Sequence, residues 1–173
     1  MRNCILTLGL ALVAPGFVAA QESASGLAQI VVLASTNFSK SSDLDFGTHY
    51  ATEGVITCSQ CTPARFDGLG QAGRLVDISI GVPSVLTRVG NTASIPITFG
   101  SESASFQSDG GTLVRFGPTA GLVGAMLTGS GGFAVWLGGP THPASADQDV
   151  SVNLAGAGGG TYRGTIVVSV IQH

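Results

Sequence analysis

The run Val76-Asp77-Ile78-Ser79-Ile80 alternates apolar and polar side chains without a break, and this constrains the fold more than any other feature of the chain. A period of two puts one set of side chains on a buried face and the other in water, as in a strand at the surface of a sheet. Val76, Ile78 and Ile80 are therefore predicted to point inward. By the same rule Phe133, Val135 and Leu137 share one face with Trp136 opposite, and Ile166, Val168 and Val170 share a face near the C terminus. No long apolar pattern with a 3.6-residue period competes with these runs.

Short β-branched stretches separated by Gly-rich turns extend the pattern and define an all-β sandwich or barrel. Strands are expected near Ala28 to Ala34, Gly54 to Cys58, Arg74 to Ile80, Ala93 to Phe99, Thr112 to Phe116, Phe133 to Leu137, Val150 to Leu154 and Thr165 to Ile171. Pro96 has no N–H to give to a ladder, which places its strand at a sheet edge or at a bulge. A helical insertion around Pro118 to Met126 is the one weak helical signal.

The first 20 residues read as a secretory signal peptide: Arg2 is a short positive head, Ile5 to Val18 an apolar stretch, and Val18-Ala19-Ala20 a small-residue cleavage site. Pro15-Gly16 interrupts the run, which is shorter than the ~20 residues of a spanning helix, so no membrane span is expected after cleavage. Cys4 lies at the front of the apolar run, away from where a lipid-modified cysteine stands. The expected organisation is residues 1–20 as signal peptide, 21–42 as N-terminal strand and linker, and 43–173 as a single β-sandwich domain. Without the leader the chain has six basic and ten acidic residues, with Lys40 its only lysine. Such a surface does not seek phosphate backbones or anionic lipid, which excludes nucleic acid as a partner.

Gly26 to Ala34 (GLAQIVVLA) departs from alternation, being apolar on both sides. A strand of this kind either forms an ordinary first core strand or is donated to a neighbouring subunit, adding itself to an open sheet edge. Ala28, Ile30, Val32 and Ala34 form the candidate donor face.

Asp43-Leu44-Asp45-Phe46-Gly47-Thr48, behind that apolar strand, and Gly160-Thr161-Tyr162-Arg163-Gly164-Thr165 running into Ile166 to Val170 resemble the two ends of a bacterial secreted domain family of unknown function. That family is similar in pattern to spore-coat protein U and to fimbrial major subunits. The middle of the chain departs from it at Cys58-Ser59-Gln60-Cys61 and at the loop-like Pro140 to Gln148. The resemblance implies an immunoglobulin-like or pilin-like antiparallel β-sandwich at the cell surface, with no catalytic residues to carry over. Within these ends, Phe46 reads as a core plug followed by a turn. Tyr162 reads as a side chain covering the core edge, with its hydroxyl reaching water or backbone.

Cys58 and Cys61 have the spacing of half a zinc site and of a redox motif. A zinc site needs two further ligands, and His49, His142 and His173 are scattered singly. A thioredoxin-type motif needs its first Cys at a helix N terminus, whereas Gly54 to Thr57 leads strand-like into a turn at Thr62-Pro63. A disulfide across that turn is the simplest reading in an oxidising compartment, ahead of the redox and metal alternatives. Gly68-Leu69-Gly70-Gln71-Ala72-Gly73 fits G-x-G-x-x-G, but a strand follows it instead of the helix a nucleotide site requires. Asp43/Asp45 and Asp147/Asp149 are explained by turn chemistry and solvation better than by calcium binding. No G-x-S-x-G elbow accompanies the serines, so no enzyme activity, metal or cofactor is expected.

Three functional classes remain. The leading expectation is an exported structural or adhesive surface protein, a pilin-like or coat-like subunit forming a homo-oligomer or fibre by strand donation, with a periplasmic chaperone as a candidate partner. The alternative is a monomeric extracellular glycan- or ligand-binding module, with Trp136 as ligand contact. The third is a redox or metal protein centred on Cys58 and Cys61.

Overall fold

The computed structural model describes residues 37–58, 61–138 and 150–173. Among them the regular elements are strands and one short 3-10 turn, Ala51–Glu53. In chain order the strands are β1 (Asn37–Ser42), β2 (Val55–Thr57), β3 (Ala64–Leu69), β4 (Leu75–Gly81), β5 (Val85–Arg88), β6 (Ser94–Phe99), β7 (Ala104–Ser108), β8 (Val114–Phe116), β9 (Leu122–Met126), β10 (Gly132–Leu137), β11 (Val150–Asn153), β12 (Tyr162–Arg163) and β13 (Val167–Gln172). All pairings are antiparallel, and the strands form three sheets in the orders β1-β3-β10-β7-β8, β12-β5-β6-β11-β2 and β13-β4-β9. The expected leader, the segment carrying Ala28, Ile30, Val32 and Ala34, and the stretch from Pro140 to Gln148 with His142 lie outside the described residues, as does Asp149.

The alternation read from the sequence sets the larger core. Val76, Ile78 and Ile80 of β4 are buried, as are Phe133, Val135 and Leu137 of β10, and they meet Ala64, Phe106 and Phe116 from the first sheet. Ile166, Val168 and Val170 pack half-buried against the same cluster. The first and third sheets thus sandwich this core, and each fully buried aliphatic side chain contributes about 1.5–3 kcal/mol through removal from water.

A second cluster lies on the other five-stranded sheet. Ile95 and Ile97 of β6 pack with Val150 and Val152 of β11 and with Cys58 and Cys61, while Phe46 and Tyr162 close it from the side. Leu44 and Phe99 touch both clusters. The Tyr162 hydroxyl donates to the Gly158 carbonyl at 2.9 Å, so this tyrosine covers the core edge and satisfies its polar end on backbone.

Two expectations are corrected. Pro96 lies in β6, an interior strand, and not at a sheet edge. It is tolerated because β6 pairs with β5 only over Ser94 to Pro96 and with β11 only over Ile97 to Phe99. The Ile97 amide donates to the Ser84 carbonyl, so by antiparallel alternation the missing N–H of Pro96 faces the β11 side, one step past the last paired residue. The stretch Pro118 to Met126 holds β9 and no helix. There Val123 and Gly124 together oppose the single residue Asp77, and Gly124, at φ 68°, donates its amide to the Asp77 carboxylate at 2.8 Å. This is a bulge with a left-handed glycine, which breaks the period-two signal. Five further strands of three residues or more were not anticipated: β1, β3, β5, β7 and β9.

Candidate functional site

Cys58 and Cys61 form a disulfide with Cα atoms 4.8 Å apart. Cys58 is fully buried and Cys61 nearly so, and the Cys58 amide donates to the Val150 carbonyl at 2.9 Å. Gly138 stands over the bridge with φ 70°; a Cβ there would meet the Cys58 sulfur at 3.1 Å and Leu44 Cδ1 at 2.8 Å. A sulfur enclosed in this way is shielded from the thiolate attack that exchange chemistry needs, so the pair acts as a structural brace.

The outer face of the first sheet gathers polar groups around Trp136. Because Phe133, Val135 and Leu137 face the core, parity turns Gly132, Ala134 and Trp136 outward on the central strand β10. In register, Trp136 lies between Arg65 of β3 and Ser105 of β7, and Ala134 lies between Asp67 and Gln107. The small residues on the middle strand and larger ones on both flanks leave a shallow trough of about 470 Å³.

The walls of the trough are held in place. The Arg65 guanidinium carbon lies 5.4 Å from the centroid of the Trp136 ring, a cation–π contact. Arg65 Nε and Nη2 both donate to Asp67 Oδ1, at 3.0 and 2.8 Å. The other Asp67 oxygen accepts the Ser41 hydroxyl from β1. Partial burial pushes the Asp67 carboxyl upward, but the hydrogen bonds from Ser41 and Arg65 and the Arg65 charge outweigh it and hold it below the usual carboxylate range. Gln107 Nε2 donates to the Gly111 carbonyl at 3.1 Å. At the far end, Asp109 accepts the Ser130 hydroxyl at 2.7 Å, and the Ser130 side-chain and backbone bonds keep it ionised to lower pH than an ordinary aspartate. Ser105, the register partner of Trp136, is 1% exposed, and its Oγ is the buried side-chain polar atom that lacks a hydrogen-bond partner among the described residues.

The other singled-out residues have local roles. Asp45 Oδ1 accepts the Gly47 amide at 2.8 Å, the turn expected behind Phe46, and Asp43 pairs with Lys40 on the surface. His49 donates to Glu53 at 2.8 Å and to the Phe46 carbonyl at 2.7 Å. In the glycine motif, Gly68 belongs to β3 and Gly73, at φ 79°, turns the chain into β4. No helix among the described residues is long and apolar enough to cross a membrane.

Sequence reasoning paired Cys58 with Cys61 and placed Trp136 on the side of its strand away from the core. It missed Arg65, Asp67 and Gln107, which become neighbours of Trp136 only through strand pairing distant in the chain. Family models, curated proteins and solved structures were compared with this chain, and none matches.

Proposed function

We propose that this protein is an exported structural subunit of the cell surface that assembles by strand addition, a pilin-like or coat-like building block without catalytic activity. The observation that carries this reading is the open edge of β13. Its six residues, Val167-Val168-Ser169-Val170-Ile171-Gln172, pair with β4 in unbroken register, carry no charge, and have no strand on their other side among the described residues. Natural monomers blunt such edges with charges, proline or bulges, because a long, flat, apolar edge invites another strand. The outer face of the same sheet adds to the case: Val123 is 78% exposed and Ile171 64%, with Met126 and Val167 also open. The sequence from Gly26 to Ala34 is uncharged and apolar at both parities, the composition that addition to such an edge requires.

The test is light scattering with size-exclusion chromatography on residues 21–173 across a concentration series. Concentration-dependent oligomers that a peptide covering Gly26 to Thr36 competes away are expected. A strict monomer at high concentration, indifferent to that peptide, defeats the reading.

A further inference from the structure

The trough on the outer face of the first sheet lies on a different sheet from the β13 edge, and assembly leaves its chemistry unused. We propose that it binds a neutral hexopyranose unit of an oligosaccharide, with Trp136 as the ring-facing residue and Gln107 and Asp67 as hydroxyl partners.

Size, surface and charge together select this ligand class. From β3 to β7 the trough spans two strand spacings, about 10 Å, and from Gly132 to Trp136 it runs four residues, about 13 Å. Those dimensions and a volume of about 470 Å³ suit one or two sugar rings. A pyranose has an apolar C–H face bounded by hydroxyls. The half-buried indole at one end of the trough offers an electron-rich π surface to such C–H groups. Its orientation is already fixed by Arg65, which is itself tied to Asp67, so little side-chain ordering remains to be done on binding.

The hydrogen-bonding groups also fit a polyol. Gln107 spends its amide N–H on Gly111, and its Oε1 has no partner among the described residues, so it remains an acceptor for a ligand hydroxyl. Ionised Asp67 has acceptor capacity beyond its bonds from Arg65 and Ser41. Arg65 is balanced by Asp67, and Asp109 adds a further negative charge, so the trough favours neutral sugars over uronates or sialic acids.

Trp136 is the sole tryptophan of the chain, so tryptophan fluorescence, excited selectively over Tyr50 and Tyr162, reports on this site alone. Residues 21–173 should be titrated with cello-, chito-, malto- and manno-oligosaccharides, each up to about 10 mM, and with an acidic heparin-derived oligosaccharide. At least one neutral oligosaccharide should give a saturable change, weakened tenfold or more in Gln107→Ala and in Asp67→Asn, both of which keep the reporter. Thermal melts identify any variant lost to misfolding, and Gln107→Ala, on a half-buried position, keeps the test usable if Asp67→Asn unfolds. The proposal is overturned if no neutral sugar gives a saturable response, if Gln107→Ala binds as tightly as the parent, or if the acidic oligosaccharide binds best.

Discussion

The ring of Phe133 occupies the space that a side chain on Gly68 would take: a Cβ there would fall 2.1 Å from the ring's Cζ. Phe38 of β1 and Phe133 of β10 are both in register with Gly68, one on each side, and their rings approach to 5.9 Å across it. Glycine lets two aromatics from next-nearest strands close over the strand between them. Gly68→Ala is expected to destabilise the protein by about 2–3 kcal/mol, as overpacking does in a filled core. A urea melt measures it, and a loss below about 0.5 kcal/mol means that the rings part at little cost.

The disulfide should resist reductant until the fold opens. With Cys58 fully buried, thiol alkylation in the presence of dithiothreitol should label neither Cys58 nor Cys61 in the folded protein and both in urea. Closing so short a loop contributes only about 2 kcal/mol, so Cys58→Ala with Cys61→Ala should lower stability by about that much and leave a folded β protein by circular dichroism. Rapid labelling under native conditions contradicts the structural role.

His49 and Glu53 form a pH-dependent clamp. Both ring nitrogens of His49 face acceptors, so the imidazolium is favoured, and its pKa is raised first by the Glu53 carboxylate and then by the Phe46 carbonyl. Glu53 is lowered, first by the Tyr50 amide and then by His49. The His49 contribution to stability is complete below the ordinary histidine pKa and is lost as pH rises through the raised folded value. The Glu53 contribution is complete above the ordinary glutamate pKa and is lost as pH falls through its lowered value. The clamp is therefore fully engaged between those two ordinary values, roughly pH 4.5 to 6.5. An NMR titration should place the His49 midpoint above the ordinary histidine value, and Glu53→Gln should bring it down; an unchanged midpoint would falsify the clamp.

Two prolines separate edge addition from folding. Leu75 and His173 exchange both backbone hydrogen bonds, so alternation along β13 turns the amides of Ile171 and Ser169 toward β4 and those of Val170 and Val168 toward the open edge. Val170→Pro should abolish assembly while the monomer stays folded, and Ser169→Pro, which removes a bond to β4, should destabilise the monomer itself. Equal oligomer mass in Val170→Pro and the parent by light scattering refutes assembly through this edge.

Strands with one wet and one dry face were legible because burial enforces parity: β4 and β10 bury the residues that alternation predicts, and Val168 and Val170 of β13 do the same in part, while Val167 and Ile171 lie exposed on its other face. The remaining strands hid for identifiable reasons. In β7 (Ala104–Ser108), small serines are buried beneath larger neighbours, so polarity and burial part company. In β3, Arg65, Asp67 and Gly68 dilute the apolar signal, although Arg65 and Asp67 face the trough and Gly68 accommodates Phe133. In β9, the bulge at Val123 and Gly124 breaks the period altogether. The trough was half legible. Parity put Trp136 off the core, but strand register, which one chain does not announce, brings Asp67 and Gln107 beside it.

The way β6 changes partners at Pro96 divides the second five-stranded sheet along a seam. The pairs with β5 end at Pro96 and those with β11 begin at Ile97, so the ladder of the half holding β12 and β5 and that of the half holding β11 and β2 meet only along the β6 backbone, although the Ile97 amide still reaches Ser84 and Leu86 and Tyr162 share one apolar cluster with Ile56, Val150 and Val152. Amide protons in the two halves should then exchange with solvent as two separate families, each opening without the other.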